Sequence, residues 1–554
     1  MTYKIQKIAE ILSLPPEKRL RAILTSADPK AIVQSLSDED VWLTIKKAGE
    51  HDSLALVSIT TPDQLQYVLD IETWKRDTFE KEKSLHWLSL IKECGHKKLV
   101  EWAHQGDADA VVLTFKNFVH VIKKSAPDDD PLEKNWPGHL PPHTVDGVYY
   151  YQCPDEHSDE IVRPALETIA KDDHEFFKKL CEALIHELPS NLEESAFTWR
   201  TKRLAEKGFL PLEESLHVYQ YLNEKQIGAL PKRAKMKINE PEVPRRALAL
   251  LSLGGENYPL LMLGLSKIKD QDLKEEILLE VSATANKAIV ADSRPISPET
   301  IESCLKKVMG MVNIGLEHIS GADPEKSAAV LEEHYVLNLF QAGFSIVSRV
   351  RQKAKKFTTT GWPKEIGGDL TILDEPLASK ISSVLRKRPL YFLDEFSESP
   401  VREFRSIDDV RDVNRCIEYA EFIGNMFDKV FKLKPLQARA LTATDVELLR
   451  WSNVLLTVWA KGIATGDYRF SPLAPDELKR ALKKSLPSIE AEEKKFAKWL
   501  LDRQPELTSD EKKACQQFVN ECFGKFIEEF GELSDKETPD WRFVRSIWII
   551  PGMD

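Results

Sequence analysis

Cysteine is scarce in this chain, and the positions of the cysteines argue against a disulfide framework. Seven cysteines are scattered over 554 residues, and no two of them form a Cys-x-x-Cys pair. Disulfide-stabilised domains are typical of oxidising compartments and are rich in paired cysteines. The N-terminal sequence also has neither the apolar core nor the small-residue cleavage site of a signal peptide. We therefore expect a cytoplasmic protein that is not exported.

Long apolar runs are missing as well. The longest strongly apolar stretch, from Trp451 to Ala464, is interrupted by Lys461. A helix needs about 20 consecutive apolar residues to span the hydrocarbon core of a bilayer. We therefore expect this stretch to form a buried core helix, and we expect no membrane insertion.

The motifs of several common enzyme classes do not occur in the sequence. It has no glycine-rich dinucleotide or phosphate loop, no zinc-protease motif and no nucleophile-elbow serine. No cofactor is predicted, although an active site without a sequence motif stays open because geometry defines such a site. The net charge of −12 disfavours nucleic acid as a partner. The most basic region, which begins at Arg349, is interpreted as a solvated helix face.

Helical periodicity dominates what is present. Between Leu273 and Ala288, for example, apolar residues recur at the third or fourth position along one face. Strand signals are few, and the clearest are Val148–Gln152 and Val544–Ile550. The pattern predicts an all-α, multi-domain protein with at most one small β element. The unusually apolar C-terminal segment, Trp541 to Met553, is expected to be docked on the body of the protein.

Proline-rich stretches indicate where domains meet. Residues 126–143 combine several prolines with an acidic run and form the clearest linker. Residues 358–376, rich in glycine, threonine and proline, suggest a second joint. The predicted organisation is a short-helix superhelical domain at 1–125, a proline-rich linker with a short strand at 126–160, a helical domain at 161–370 and a C-terminal helical domain at 371–554.

The first predicted domain repeats one local pattern. Short helices open at a capping residue or a proline near Pro16, Asp28, Ser37 and Thr61. Helices this short cannot bury their apolar faces alone and must stack on neighbours, as in a helical solenoid. This N-terminal segment resembles the cytosolic N-terminal domain of MgtE magnesium transporters, which is a superhelix of short helices. No transporter membrane domain follows, so the resemblance implies an architecture and not magnesium transport.

A second resemblance covers nearly the whole chain. The motifs that carry it are Thr61-Pro62-Asp63-Gln64, Val68-Leu69-Asp70, Trp74-Lys75-Arg76-Asp77, Trp87-Leu88, Trp199-Arg200, Arg203-Leu204-Ala205, Gly208-Phe209, Glu213-Glu214, Ala342-Gly343-Phe344, Leu373-Asp374-Glu375-Pro376 and Arg386-Lys387-Arg388-Pro389. On these motifs the sequence is identified as a member of a bacterial family defined by a domain of unknown function. The resemblance implies a shared fold and brings no activity or site residue with it.

One segment has residues of the type that bind zinc. His139, His143, Cys153 and His157 form two close pairs separated by a short loop, and imidazole nitrogen and thiolate sulfur are zinc ligands. The spacing matches no standard zinc module, and the segment is a proline-rich linker in which exposed histidines are common. A zinc site and a solvated loop are therefore both open.

A second candidate site is a pair of arginines that follow a tryptophan in the sequence. Arg200 and Arg203 are three residues apart and share a helix face next to Trp199, so they can clamp a carboxylate or a phosphate. The acidic residues within helical reach that can neutralise them are Glu193, Glu194 and Glu206. The alternative to a ligand site is a helix hairpin held together by ion pairs.

The hypotheses about function rest on two observations: the predicted stacking of helices and the lack of a catalytic motif in the sequence. We expect a cytosolic protein–protein interaction scaffold, adaptor or regulator without catalytic activity, with an unidentified protein partner. One alternative is an enzyme or small-ligand sensor with a pocket between helical layers near Arg200 and Arg203. Another is a metal-linked regulator that uses the His139–His157 stretch or the carboxylates around Asp70.

Overall fold

The chain forms two compact units. The computed structural model describes residues 11, 14, 16–126, 129–233, 258–394, 396, 399–441, 449–531 and 543–550. The first unit comprises residues 1–343 and the second residues 344–554. Most of the regular structure is helical, which confirms the predicted all-α class. The domain boundaries near residues 125, 160 and 370 stay predictions.

The first unit is built from short helices followed by longer ones. In chain order they are α1 (Pro16–Leu24), α2 (Pro29–Val33), α3 (Asp38–Ala48), α4 (Leu54–Val57), α5 (Pro62–Glu72), α6 (Lys81–Glu93), α7 (His96–Gln105), α8 (Ala108–Lys116), α9 (Glu156–Asp172), α10 (His174–His186), α11 (Pro189–Glu206), α12 (Leu212–Ser215), α13 (Glu224–Ile227), α14 (Pro259–Lys267), α15 (Gln271–Ala291), α16 (Pro298–Ser320) and α17 (Pro324–Glu333). The next helix, α18 (Val336–Thr360), contains the division between the units. The helix starts predicted near Pro16, Asp28, Ser37 and Thr61 are confirmed.

Short strands interrupt the first unit at two places. A hairpin of β1 (Trp74–Lys75) and β2 (Thr78–Phe79) follows α5. Further on, β3 (His120–Lys123), β4 (His143–Thr144) and β5 (Tyr149–Gln152) form an antiparallel sheet in the order β3-β5-β4. The strand predicted at residues 148–152 is therefore confirmed, whereas β3 has too short an alternation for the sequence to indicate it.

The helix α5 begins with a complete capping box. The hydroxyl of Thr61 accepts the main-chain N–H of Gln64 at 3.2 Å, and the Gln64 side-chain oxygen accepts the N–H of Thr61 at 3.0 Å. The amide nitrogen of Gln64 then donates to the main-chain oxygens of Val33 and Leu36. The cap therefore satisfies main-chain N–H groups at the start of α5, and Gln64 ties α5 to the end of α2 and to the residues after it.

We expect Thr61→Ala to lower the free energy of unfolding by about 1 kcal/mol, because it removes one partner of the helix N-terminus. Urea unfolding followed by circular dichroism measures the change. Thr61→Ser keeps the hydroxyl and is the control, with an expected loss of a few tenths of a kcal/mol at most. Equal losses in the two variants would contradict the capping role.

The second unit is organised around one buried helix. Its helices are α19 (Leu377–Leu385), α20 (Ile407–Phe431), α21 (Pro435–Leu441), α22 (Trp451–Thr465), α23 (Pro475–Ser485), α24 (Ile489–Asp502) and α25 (Ser509–Phe530), and a hairpin pairs β6 (Tyr391–Phe392) with β7 (Val401–Arg402). Trp459 of α22 is buried, with its ring centroid 4.8 Å from that of Phe523 and 5.0 Å from that of Phe526, both in α25. The apolar stretch around α22 is thus a core helix, as predicted. Across the part of the chain that the structure describes, no helix has the length and hydropathy to cross a membrane.

Short 3-10 helices also occur in the part of the chain that the structure describes. They are Pro131–Glu133, Leu216–Tyr219, Trp362–Ile366 and Leu486–Ser488.

The C-terminal segment lies on the second unit. Ile549 forms a parallel bridge with Leu473, and the main-chain N–H of Ile550 donates to the Leu473 oxygen at 2.8 Å. Ile547 is buried, and the main-chain N–H of Ser546 donates to the Glu529 carboxylate at 2.8 Å. The prediction of a docked segment is confirmed for residues 543–550, while residues 541–542 and 551–554 lie outside the described residues.

Candidate functional site

The two arginines predicted as a ligand clamp hold parts of the chain itself. Arg203 in α11 donates through Nε and Nη2 to the two carboxylate oxygens of Asp70, at 2.7 and 2.8 Å. Its Nη1 donates to Asp107 at 2.7 Å. Both aspartate side chains are almost fully buried, with 3% and 4% of their surface exposed. Burial acts to lower the pKa of Arg203, but the two carboxylates outweigh it and raise that pKa.

Arg200 binds main-chain oxygens on the same side of α11. It donates to the oxygen of Asp70 at 2.6 Å and to that of Arg76 at 3.3 Å, and its guanidinium lies 5.5 Å from the ring centroid of Trp74. Burial lowers the pKa of Arg200 to about 10, which leaves it charged at neutral pH. The partners are aspartates and carbonyls, not the glutamates expected from the helix spacing; Glu193, for instance, accepts the N–H of Phe79.

This arrangement serves to fasten α11 to α5 and to the β1–β2 hairpin. A cavity of about 20 Å³ lies beside Asp70 and Asp107, which is room for about one water molecule. Trp199 is half exposed and lies under the ammonium of Lys202, whose nitrogen is 4.3 Å from the ring centroid. Arg203 therefore satisfies two buried carboxylates and Arg200 binds main-chain oxygens, while a ligand role for the pair stays a prediction.

The four predicted zinc ligands are not brought together. His139 and His157 are exposed, whereas Cys153 is buried after β5. His143 in β4 lies with Nε2 3.3 Å from a carboxylate oxygen of Asp159. Burial raises the pKa of Cys153 to about 12, which disfavours the thiolate that zinc requires. Within the described ranges, no group of three or more His, Cys, Asp or Glu side chains is arranged to hold a metal ion.

A large cleft in the second unit was not anticipated from the sequence. It has a volume of about 1080 Å³ and is lined by α19, α20, α25, the start of α22 and the loop that precedes α19. The loop contributes Asp374, Glu375 and Pro376 from one of the motifs that carry the family resemblance. Helices cross here without filling the space between them, so side chains of four helices and one loop face one opening.

Three polar side chains meet at the start of α22. The hydroxyl of Ser452 donates to the carboxylate of Asp374 at 2.5 Å, and the Ser452 main-chain N–H donates to the other carboxylate oxygen at 3.2 Å. The ammonium of Lys525 in α25 pairs with Asp374 and lies 3.2 Å from the Ser452 hydroxyl oxygen. Asp374 thus places a negative charge at a helix N-terminus, where the helix dipole stabilises it.

A second ion pair lies on the wall formed by α19 and α20. Lys380 donates to Asp412 at 2.8 Å, and the hydroxyl of Tyr391 donates to the same carboxylate at 3.0 Å. Burial acts to raise the pKa of Asp412, but these two hydrogen bonds and the positive charges of Lys380 and Arg415 lower it overall. Asp412 is therefore held as a carboxylate at neutral pH.

A third carboxylate has no cation beside it. Glu521 of α25 accepts the hydroxyl of Tyr419 at 2.9 Å and the side-chain amide of Gln517 at 2.8 Å. Burial and the charge of Glu521 raise the pKa of Tyr419, so its phenol stays protonated and acts as a donor. Among the residues the structure describes, no lysine, arginine or histidine lies within 4 Å of the Glu521 carboxylate.

Apolar and aromatic groups form much of the remaining wall. They are Leu373, Tyr419, Phe422, Ile423, Trp451 and Phe518. Trp451 is fully buried and stacks on Phe427 with ring centroids 4.2 Å apart, yet its indole N–H has no acceptor among the described residues. At Gly524, a Cβ would meet no atom within 4 Å, so this residue leaves the cleft open.

The chemistry of the cleft favours binding over nucleophilic attack. Burial raises the pKa of Cys416 to about 11 and raises that of Cys522 further, so both thiols stay protonated. The Ser452 hydroxyl donates a hydrogen bond to the Asp374 carboxylate, which is already paired with Lys525. What the cleft offers is paired charge, protonated donors and apolar surface.

Two stripes of side chains on α25 border the cleft, and no site was predicted from either of them. Cys515, Phe518, Cys522 and Phe526 form the buried stripe, and polar residues of the cleft recur beside them at Gln517, Glu521, Lys525 and Glu528. A polar stripe that adjoins an apolar one is the usual pattern of a solvated helix face. The signal that could have indicated a site is the Leu373–Pro376 motif together with Gly524 within a helix.

Comparison with known proteins places the whole chain in one family. The model of a family of unknown function, DUF6178, matches residues 5–549. Neither the curated proteins nor the solved structures contain a match.

Proposed function

The chain belongs to this family of unknown function, and we propose that its second unit binds a small organic molecule in the cleft. The volume of about 1080 Å³ supports the proposal, because ligand pockets are typically clefts of about 300–1000 Å³. Such pockets combine apolar walls with a few convergent polar groups. The cleft has this composition, since Tyr419, Glu521, Asp374 and Lys525 converge among aromatic side chains.

Gly524 carries the proposal furthest. Glycine within a helix costs about 1 kcal/mol relative to alanine, and the backbone of Gly524 has no positive φ that would require it. No neighbouring atom excludes a side chain at this position. A glycine that neither the backbone nor the packing requires is explained by the space it leaves in the cleft.

The state of the reactive groups in the cleft defines the role. Trp451 belongs to the apolar wall, and its indole nitrogen is buried rather than open to the cleft. We propose a binding or sensing role, since the reactive side chains of the cleft are held in their protonated or ion-paired states.

We expect Gly524→Trp to abolish ligand binding, because the indole would project into the cleft and obstruct it. The test is to purify the protein from its own cells without denaturation, release bound small molecules by acid, and compare them by mass spectrometry. A molecule present in near-stoichiometric amount in the wild type and at least tenfold reduced in Gly524→Trp would support the proposal.

The matched control is Asn520→Trp, which adds the same side chain one turn earlier on α25, at an exposed position outside the cleft lining. Circular dichroism and the melting temperature show whether each variant folds, and Gly524→Leu replaces Gly524→Trp if the larger side chain prevents folding. Equal small-molecule content in all variants would contradict a ligand site in the cleft.

A second proposal is the scaffold role expected from the sequence. Several large apolar side chains of the first unit are 43–60% exposed, and we propose them as contact residues for a partner. They are Leu188, Trp199, Leu212, Leu216 and Tyr221. Affinity purification at low salt tests this proposal by comparing the wild type with the double variant Leu212→Ser and Leu216→Ser. A stoichiometric partner that the double variant loses would support the scaffold, and recovery of both proteins alone would count against it.

A further inference from the structure

The charges that line the cleft are unequal. Among the described residues, its lining contains eight carboxylates and four cationic side chains, a formal charge of −4. Three of the four cations are already paired with a carboxylate of the same cleft: Lys525 with Asp374, Lys380 with Asp412 and Lys513 with Asp510. The fourth, Arg415, is close enough to Asp412 to lower its pKa. The cations of the cleft are thus engaged with its own acidic side chains.

Several of the described carboxylates of the cleft, by contrast, have no cationic partner. Among the described residues, four of them have no cationic side chain within 4 Å: Glu375, Glu511, Glu521 and Glu528. Glu511 is occupied as the capping partner of Thr508, and Glu375 accepts a main-chain N–H of α19. Glu521 is different, because its two hydrogen bonds come from Tyr419 and Gln517, both of which also line the cleft.

Glu521 is therefore oriented by neutral donors at an exposed position of the cleft lining, which also contains aromatic side chains. Tyr419, Phe422, Trp451 and Phe518 lie around the same opening. The face of an aromatic ring attracts a cation, and a carboxylate attracts it more strongly. An anionic ligand would instead enter a cleft with a surplus of negative charge and no unoccupied cluster of cations.

We propose that the ligand of the cleft is an organic cation, an amine or guanidinium on an apolar body, whose charge pairs with Glu521. The inference rests on the proposed binding cleft and specifies the class of molecule that it takes. The apolar part of the ligand lies against the aromatic wall, and the charged end meets the carboxylate that the protein leaves without a cation.

Three fluorescent probes that differ only at one end test the ligand class. Dansylcadaverine carries an ammonium, dansyl-pentylamide ends in a methyl group and dansyl-aminohexanoate ends in a carboxylate. We expect fluorescence titration to give the tightest binding for dansylcadaverine, by about tenfold over the neutral probe, and the weakest for the anionic probe. Raising the salt concentration weakens only the binding of the cationic probe.

The variant Glu521→Gln keeps the shape of the side chain and removes its charge. We expect it to weaken dansylcadaverine about tenfold and to leave the neutral probe within twofold. Glu490→Gln is the matched control, because it changes the net charge equally at an exposed position of α24 outside the cleft.

Each remaining outcome counts against the inference. Equal or tighter binding of the neutral or anionic probe overturns the cationic class, and so does equal weakening by Glu521→Gln and Glu490→Gln. If the neutral or anionic probe binds best and Gly524→Trp abolishes its binding, the cleft is still a ligand site and only the proposed ligand class is wrong. If Gly524→Trp leaves the binding unchanged, the proposed site itself fails.

Discussion

Arg203→Ala is expected to destabilise the first unit by about 3–5 kcal/mol. The guanidinium makes three hydrogen bonds to the carboxylates of Asp70 and Asp107, which are 3% and 4% exposed. Removing one partner of a buried ion pair leaves the opposite charge buried and uncompensated, and this residue compensates two. Urea unfolding monitored by tryptophan fluorescence measures the loss, and hydrogen exchange locates it in α5, α8 and α11.

Two further variants separate charge from packing. Lys202→Ala removes a neighbouring cation that lies over exposed Trp199, and we expect a change within about 0.5 kcal/mol. Arg203→Lys keeps the charge but cannot reproduce the planar two-pronged contact with Asp70, so an intermediate loss is expected. A loss below about 1 kcal/mol in Arg203→Ala would show that the two aspartates find other partners.

The sequence could indicate that Arg200 and Arg203 share a helix face but not what that face meets. The face follows from a spacing of three residues, which is a local property. The partners Asp70 and Asp107 belong to elements far earlier in the chain, and only the packing of α11 against α5 and α8 brings them close. The expectation of glutamate partners used local reach alone, and long-range packing overruled it.

The same distinction between local pattern and long-range packing explains which of the other features could be predicted from the sequence. Helix starts such as that at Thr61 and the core helix at Trp451 depend on local periodicity and capping, and both were confirmed. The division between the units lies inside α18, where a continuous helical pattern offers no break to detect. The cleft is a space between helices from distant parts of the second unit, and a single chain pattern does not encode a space.

Charge in the two units serves two different ends. In the first unit, Asp70 and Asp107 are both paired with Arg203, and their charge serves to hold helices together. In the second unit, Glu521 is oriented by Tyr419 and Gln517 without a cation. A carboxylate that is positioned but not neutralised keeps its charge for a binding partner, as we propose for Glu521, whereas a buried and paired carboxylate serves the structure. This difference is why the candidate site moves from the predicted arginines to the cleft.

Gly343→Ala is expected to destabilise the first unit by about 2–3 kcal/mol, although alanine favours a helix over glycine by about 1 kcal/mol. A Cβ at Gly343 would lie 2.7 Å from the carbonyl carbon of Met311 in α16, and closer still to its oxygen. Gly315 repeats the contact from the other side, because its Cβ would lie 3.3 Å from the carbonyl carbon of Leu339. The two helices therefore touch backbone to backbone, and a methyl group must push them apart.

Gly524→Ala is the matched control for Gly343→Ala, since both glycines lie within helices and both changes add one methyl group. No atom lies within 4 Å of a Cβ at Gly524, so only the helix propensity acts there. We expect Gly524→Ala to add about 0.5–1 kcal/mol to the free energy of unfolding and so to raise the melting temperature slightly. We expect Gly343→Ala to lower the melting temperature. Opposite signs would show that the two glycines have different reasons to be there: a close helix contact at one and an open cleft at the other. Equal stabilisation in both variants would contradict the contact between α16 and α18.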